Sequence, residues 1–257
     1  MNVYAQQDQP SGVPPLQLTG ERTLPDVPAE NYWYRRHLAV YEWIGARVLG
    51  LRVLDMACGE GYGSEVLSRA AGSVVGVDAN PEAHEHARLR YRRDNLGFER
   101  GVVETFGEPH SCDAVVFLQT IEHVQDPQGV LGHFRDLLAP GGTAYVSTPN
   151  VLTLAGPGSE KSDNPWHIRE YRAHEFETLC RSVFGRVELL GLFHARKLRL
   201  HGAALALGWD RIHAALGLTQ RFYDRFTPAI SARDFRLRGP RDADLDQALD
   251  FLAVCRS

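Results

Sequence analysis

The stretch VLDMACGEGYG, Val53 to Gly63, decides how this chain is read. Four apolar residues and one acid run into glycines at 59, 61 and 63. The pattern describes a β-strand ending in a loop whose backbone approaches a nucleotide, with a helix after it. A dinucleotide loop carries G-x-G-x-x-G, its third glycine letting helix and strand pack beneath a pyrophosphate. Here Ser64 fills that third slot, and the run reads G-x-G-x-G behind Asp55. An acid at the strand end suits a cationic ligand better than an anionic pyrophosphate. The next strand candidate, SVVGVDA (73–79), closes on Asp78, 19 residues after Gly59. A carboxylate there can accept both hydroxyls of a ribose. The two stretches together point to a nucleoside site. A nicotinamide-dependent oxidoreductase fails on Ser64 and on the lack of a hydride-transfer partner.

Outward from this loop, short β-rich runs alternate with amphipathic stretches. LRVLDMA (51–57), SVVGVDA, DAVVFLQ (113–119) and GTAYVST (142–148) are continuously apolar, as strands buried on both faces are. Helices at 62–71, 81–94 and 127–138 would connect them and impose parallel pairing. The third helix stops at Ala139-Pro140-Gly141-Gly142. Upstream, NYWYRRHLAVYEWIGARVL predicts a helix with Tyr34, Leu38, Tyr41 and Ile44 on its buried face. Downstream come a helix at 173–184, a strand at 186–193 and a final strand at 250–256. His174 belongs to the start of the helix at 173–184. Residues 1–30 hold five prolines and no apolar period, and are read as a mobile arm. The fold expected is a doubly wound α/β sheet over 31–194, completed by 250–257 and interrupted by a helical insertion at 195–249.

Bulk properties set outer limits. With 257 residues, 44% hydrophobic and 23% charged, the chain can bury a substantial core. A net charge of −4 gives no global basic field for nucleic acid or an anionic membrane, so neither is expected as a partner. The basic run ARLRYRRD (87–94) is read as a solvated helix face. No apolar run reaches the roughly 20 residues of a membrane span, and the N-terminal residues do not read as a signal peptide. Cys58, Cys112, Cys180 and Cys255 are scattered, as reduced thiols of a cytoplasmic protein would be.

VLDMACGEGYG, VVGVDAN, DAVVFLQTIEHV and LLAPGGTAYVSTPN together resemble the class I S-adenosylmethionine-dependent methyltransferases. LQTIEHVQDP is similar to the small-molecule "type 11" branch. The resemblance covers residues 51 to about 150 and implies a Rossmann-like, seven-stranded sheet, S-adenosylmethionine as cofactor and methyl transfer (EC 2.1.1) as the reaction. It implies that Gly59 and Gly61, behind Asp55, line the methionine moiety, Asp78 holds the ribose, and Ala79 packs on adenine. Glu104 would lie at the adenine edge, although Val102-Val103 stand where the family often has an acid. Leu118 would face the methionine amino group, and Arg36 could pair with the cofactor carboxylate or lie on a solvated helix face.

The acceptor side rests on Glu122, His123 and His167. The first two follow the fourth strand, at the carboxyl edge where open α/β sheets bind ligands. His167 lies in SDNPWHIREY, after a Gly/Ser-rich loop (156–164) that could close over a substrate. One chemistry makes His123 or His167 a general base on a hydroxyl, oriented by Glu122. The other makes the three residues ligands of a divalent cation. Related methyltransferases use E-x-x-E-H for Mg²⁺, and Gln119 here replaces the first acid, removing a hard anionic ligand. A third alternative leaves Glu122 capping the following helix with His123 packed beneath it. NYWYRRH (31–37) and NPWHIREY (164–171) resemble stretches of actinobacterial enzymes that O-methylate sugars of polymethylated polysaccharides, which implies a saccharide acceptor with Trp166 against it. Another small hydroxylated or phenolic metabolite, such as a quinone precursor, is the alternative. A non-catalytic cofactor-binding protein is the third hypothesis. The insertion at 195–249 could cap an oligosaccharide groove or mediate a homodimer.

Overall fold

A computed structural model describes residues 6–18, 22–155, 159 and 161–257. Its centre is a run of short parallel strands. They are β1 (Arg52–Met56), β2 (Ser73–Asp78), β3 (Leu96–Arg100), β4 (Cys112–Leu118) and β5 (Leu138–Pro149). They connect through α2 (Tyr62–Ser68), α3 (Pro81–Arg90) and α4 (Pro127–Leu137), while α1 (Asn31–Gly45) precedes β1. Beyond β5 come α5 (Val151–Leu154), α6 (Ala173–Arg181), β6 (Arg186–His194), α7 (Arg196–Ala206), α8 (Trp209–Ala215) and α9 (Thr219–Phe226). The chain finishes with β7 (Phe235–Arg238) and β8 (Asp250–Arg256). The sheet order is β3-β2-β1-β4-β5-β8-β6-β7. β8 lies antiparallel between β5 and β6, and β7 is antiparallel on the outer edge of β6.

The sheet therefore has eight strands, where seven were expected. The added strand comes from the insertion, whose α-helices end at Phe226. In FRLR (235–238) Phe235 turns into the core and Arg236 stays exposed, so the strand pairs with β6 while its charge blunts the new sheet edge. β3 escaped the sequence reading because Leu96–Arg100 is a half-exposed edge strand without an apolar run.

The central strands β1, β4, β5 and β8 are buried on both faces, and alternation divides their side chains between two cores. Val115 and Phe117 join Phe134 of α4 and Phe176 of α6 on one side. Ala114, Val116 and Leu118 join Leu38 and Ile44 of α1 and Leu67 of α2 on the other. Gly63 explains the third glycine of the loop. A Cβ there would lie 2.1 Å from the Tyr41 ring, so only glycine lets α2 approach α1 this closely. At Gly61, φ is +96° and a Cβ would meet the Ala87 Cβ at 2.7 Å. That glycine serves the packing of the loop on α3.

The segment expected as a mobile arm instead packs, over its described residues, against α3 and the glycine loop. Leu16, Leu24 and Val27 form a small core of their own. The Gln6 amide donates to Glu60, and His86 of α3 bridges the Pro14 carbonyl (2.8 Å) and Glu60 (2.9 Å). Arg90 reaches Asp26 at 2.5 Å and Glu60 at 3.1 Å, so part of the basic run read as solvated is committed to holding this segment. Its apolar residues show no period because the chain is extended and turned by prolines.

Gly63→Ala is expected to destabilise the fold by ~1–3 kcal/mol through overpacking against Tyr41. Urea unfolding measures it; a change within about 0.5 kcal/mol would show that α1 and α2 can part without cost.

Candidate functional site

The carboxyl ends of β1, β2 and β4 open into a cavity of about 930 Å³. This is the crevice where an open α/β sheet, its strand order reversing between β1 and β4, places ligands. Gly59, Asp78, Ala79 and Leu118 all line it. Gly59 has φ +57° and only open space where a Cβ would stand. Its N–H donates to Asp78 Oδ2 at 2.8 Å, while Asp78 Oδ1 accepts from the Asn80 N–H at 2.9 Å. Asn80 in turn caps α3, accepting from the Glu82 and Ala83 amides. The Asp78 carboxylate is thus fixed in orientation, and each of its oxygens keeps acceptor capacity.

Of the other expected cofactor contacts, Gly61, Asp55 and Glu104 do not border the cavity, and Arg36 borders it with its donors already engaged. Asp55 is fully buried behind the loop, taking hydrogen bonds from Ser64 Oγ (2.6 Å) and Tyr41 OH (3.2 Å). Burial without a countercharge pushes its carboxyl up to about 7. Ser64, in the slot of the missing glycine, is therefore a donor to Asp55. Glu104 is solvent-exposed and does not border the cavity, because the turn after β3 directs Val103 and Phe106 inward. Arg36 borders the cavity but is 4% exposed, with Nε on Asp250 Oδ2 (2.6 Å) and Nη2 on Asp250 Oδ1 (2.5 Å). Nη2 also donates to the Leu249 carbonyl, so Arg36 clamps α1 to the start of β8. Burial works against the charged guanidinium, but the charge and hydrogen bonds of Asp250, together with Tyr32, raise its pKa above the ordinary arginine value.

The second end of the cavity is built by the turn after β4 and the 162–171 segment. Gln119 adopts φ +52°, sending the chain sharply off the strand, and its amide turns away to Ser147 Oγ. Residues 121–123 then form one helical turn. The Glu122 carbonyl accepts from Ile168 N (2.9 Å) and Arg169 N (3.1 Å), and the His123 Nδ1–H donates to the Trp166 carbonyl at 2.8 Å. These bonds bring His123 and His167 together, ring centroids 5.0 Å apart. A carbonyl only accepts, so neutral His123 carries its proton on Nδ1 and its lone pair on Nε2. His167 Nδ1 faces Glu170 at 2.6 Å, and Nε2 accepts from the Asn164 amide at 3.1 Å. Glu122 is buried, accepts from Thr148 Oγ1 at 3.0 Å, and is pushed up to about 8 by desolvation. It does not cap α4, whose N-terminus is held by Asp126.

One ligand atom each from Glu122, His123 and His167 lies within 4.8 Å of the others, so the cation-binding constellation read from the sequence exists. The donors are two imidazoles and one carboxylate, a softer set than the oxygen ligands Mg²⁺ prefers. Of the expected closing loop at 156–164, residues 156–158 and 160 lie outside the described residues. Trp33, which a helical position favours as a core aromatic, and His37, one helical turn on along α1, both face the cavity. His37 is held neutral, down to about 4, by burial. Their spacing at i and i+4 was the available signal.

Comparison with known proteins follows this geometry. A family model described as "Methyltransferase domain" matches residues 30–201. A probable S-adenosylmethionine-dependent methyltransferase of Mycolicibacterium smegmatis is 35% identical over 251 residues, covering 95% of each chain. A ubiquinone biosynthesis O-methyltransferase of Xanthomonas campestris is 36% identical over 129 residues, 46% of this chain and 54% of its own. Among solved structures, an S-adenosylmethionine-dependent methyltransferase of Thermotoga maritima superposes with a TM-score of 0.59 at 15% identity, covering 89% of this chain and 94% of that one.

Arg36→Ala should cost ~3–5 kcal/mol in urea unfolding, because it strands the buried Asp250 charge. A stable variant that had lost only cofactor affinity would return Arg36 to a binding role. Asp55 supplies a pH signature. Its folded carboxyl is raised from 3.8 to about 7, so the stability it contributes is complete below about pH 4 and lost as pH rises through 7. Melting temperatures of Asp55→Asn should fall less over that window than those of the parent; parallel profiles would contradict the assignment.

Proposed function

This chain belongs to the S-adenosylmethionine-dependent methyltransferases, and we propose that it is an O-methyltransferase whose acceptor is a saccharide hydroxyl. The observation that carries the proposal is that one cavity is lined both by the oriented Asp78 carboxylate and by His123, whose Nδ1–H is held by the Trp166 carbonyl. Bound S-adenosylmethionine supplies a methyl group already activated by its sulfonium. Asp78 accepts the two ribose hydroxyls, Ala79 packs against the adenine, and the open face of Gly59 admits the methionine portion. The cavity volume lies within the ~300–1,000 Å³ of ordinary ligand sites. His123 Nε2 takes the acceptor's proton as the new C–O bond forms and the C–S bond breaks. The Trp166 carbonyl keeps the proton on Nδ1, and Glu170 with Asn164 fixes His167 beside it. The remaining rate enhancement comes from alignment of hydroxyl and methyl carbon.

Trp33 and Trp166, 39% and 50% exposed at the cavity, offer flat apolar faces of the kind that stack on sugar rings. The Mycolicibacterium smegmatis relative spans nearly the whole chain and carries no acceptor in its name. The Xanthomonas campestris relative is by name an O-methyltransferase of ubiquinone biosynthesis, which favours oxygen as the nucleophile and keeps a phenolic acceptor as the second reading. Were a cation present, Glu122, His123 and His167 would hold it, and its charge would lower the hydroxyl's pKa. Histidine base chemistry is favoured because the Asn164 amide already engages His167 Nε2.

Transfer of labelled methyl across panels of saccharides and catechols tests the acceptor, and turnover confined to phenols would remove the sugar assignment. His123→Ala should lower kcat by ~10²–10⁴-fold while S-adenosylhomocysteine affinity stays within about threefold. Activity should persist in excess chelator; loss restored by Mn²⁺ or Mg²⁺ would replace the base with a metal site.

A further inference from the structure

The helices α7–α9 leave apolar side chains in solvent at helical spacing. Leu200 on α7 and Leu207 at its C-terminal cap are 73% and 87% exposed, seven residues apart with exposed Ala203 between them. Trp209 and Ile212 on α8, with Leu216 at its C-terminal cap, repeat at i, i+3 and i+7 and are 37%, 50% and 65% exposed. The phenylalanines of α9, by contrast, are spent internally. Phe222 stacks on His201 and His213, and Phe226 packs on His201. An uncovered stripe of this kind marks a surface meant to meet something apolar.

The charges say what that something is. Arg196, Arg199, Arg211, Arg221 and Arg225 are all exposed, and none forms an ion pair among the described residues. Lys197, by contrast, reaches back to Asp234 at 3.5 Å. Only Asp210 and Asp224 oppose these arginines across α7–α9, although the whole chain carries −4. Net charge therefore hides a local basic and apolar face. No helix of the described residues is long and apolar enough to cross a membrane, which leaves docking in the interfacial plane. A second copy of the chain would set these arginines against their own equivalents, since a two-fold contact pairs a patch with itself. Nucleic acid would use the arginines but leave the leucines uncovered.

We propose that α7–α9 form a peripheral docking surface for an anionic lipid bilayer, with the leucines, Trp209 and Ile212 entering the headgroup region and the arginines meeting lipid phosphates. Long arginine stems can lie along the apolar stripe while their heads stay in the interface. The surface belongs to the insertion and is independent of the acceptor assigned above.

Co-flotation of the intact chain with phosphatidylglycerol-containing vesicles, and with pure phosphatidylcholine vesicles, tests this. Binding should be selective for the anionic vesicles and weaken as salt rises. Replacing Arg196, Arg199 and Arg211 by Glu should reduce the partition coefficient at least on the order of a hundredfold, at roughly fivefold per lost arginine. L207E combined with I212E should abolish binding, with S-adenosylhomocysteine affinity unchanged as the check on folding. No flotation at low salt would overturn the proposal, as would flotation insensitive to both variants. A dimer in solution that dissociates with L207E/I212E would assign the face to a second copy, and binding of duplex DNA in preference to vesicles would assign it to nucleic acid.

Discussion

The Asp78 carboxylate is the constraint on which the cofactor side of the molecule depends. One oxygen holds the Gly59 amide at the tip of β1, and the other holds the Asn80 amide at the start of α3. This one side chain thus fixes the loop after the first strand relative to the helix after the second, and the cavity lies between them. A carboxylate held by two backbone donors keeps one orientation at the cavity wall, so its remaining acceptor sites are already ordered. The glycines follow from the same requirement. Gly59 leaves the ligand side open, whereas Gly61 and Gly63 bring the loop down on α3 and α1.

The opposite wall follows a parallel logic, with main-chain carbonyls as the fixed points. Glu122 offers its carbonyl to two amides of the 162–171 segment, and Trp166 offers its own to His123. Each bond positions one partner of the histidine pair. Burial of Glu122 and Asp55 shows what the fold tolerates to achieve this. Both carboxyls are desolvated without a cation beside them, and both are pushed well above the usual carboxylate range.

Much of this was legible in the sequence where local chemistry decides the structure. Continuous apolar runs located β1, β2, β4 and β5, and the loop with its carboxylate partner located the cavity. The constellation of Glu122, His123 and His167 was also foreseeable, since turn and loop both fall at one sheet edge. Long-range pairing was less accessible. Arg36 reads as a ligand-facing cation until Asp250, 214 residues away, takes both its donors. Glu104 holds the expected position in the chain but sits on the outer side of a turn. The N-terminal segment lacks periodicity because it is extended, and its anchors, Glu60, His86 and Arg90, lie on distant elements. The basic face of α7–α9 was invisible in the total charge because acids elsewhere cancel it.

A crystal structure with S-adenosylhomocysteine bound tests the central claim most directly, that one cavity sets cofactor and base face to face. Both ribose hydroxyls should bond the Asp78 carboxylate, with the adenine against Ala79 and the sulfur directed toward His123, leaving room for a hydroxyl between. A sulfur turned away from His123, or a homocysteine carboxylate on Arg36 with Asp250 displaced, would contradict it.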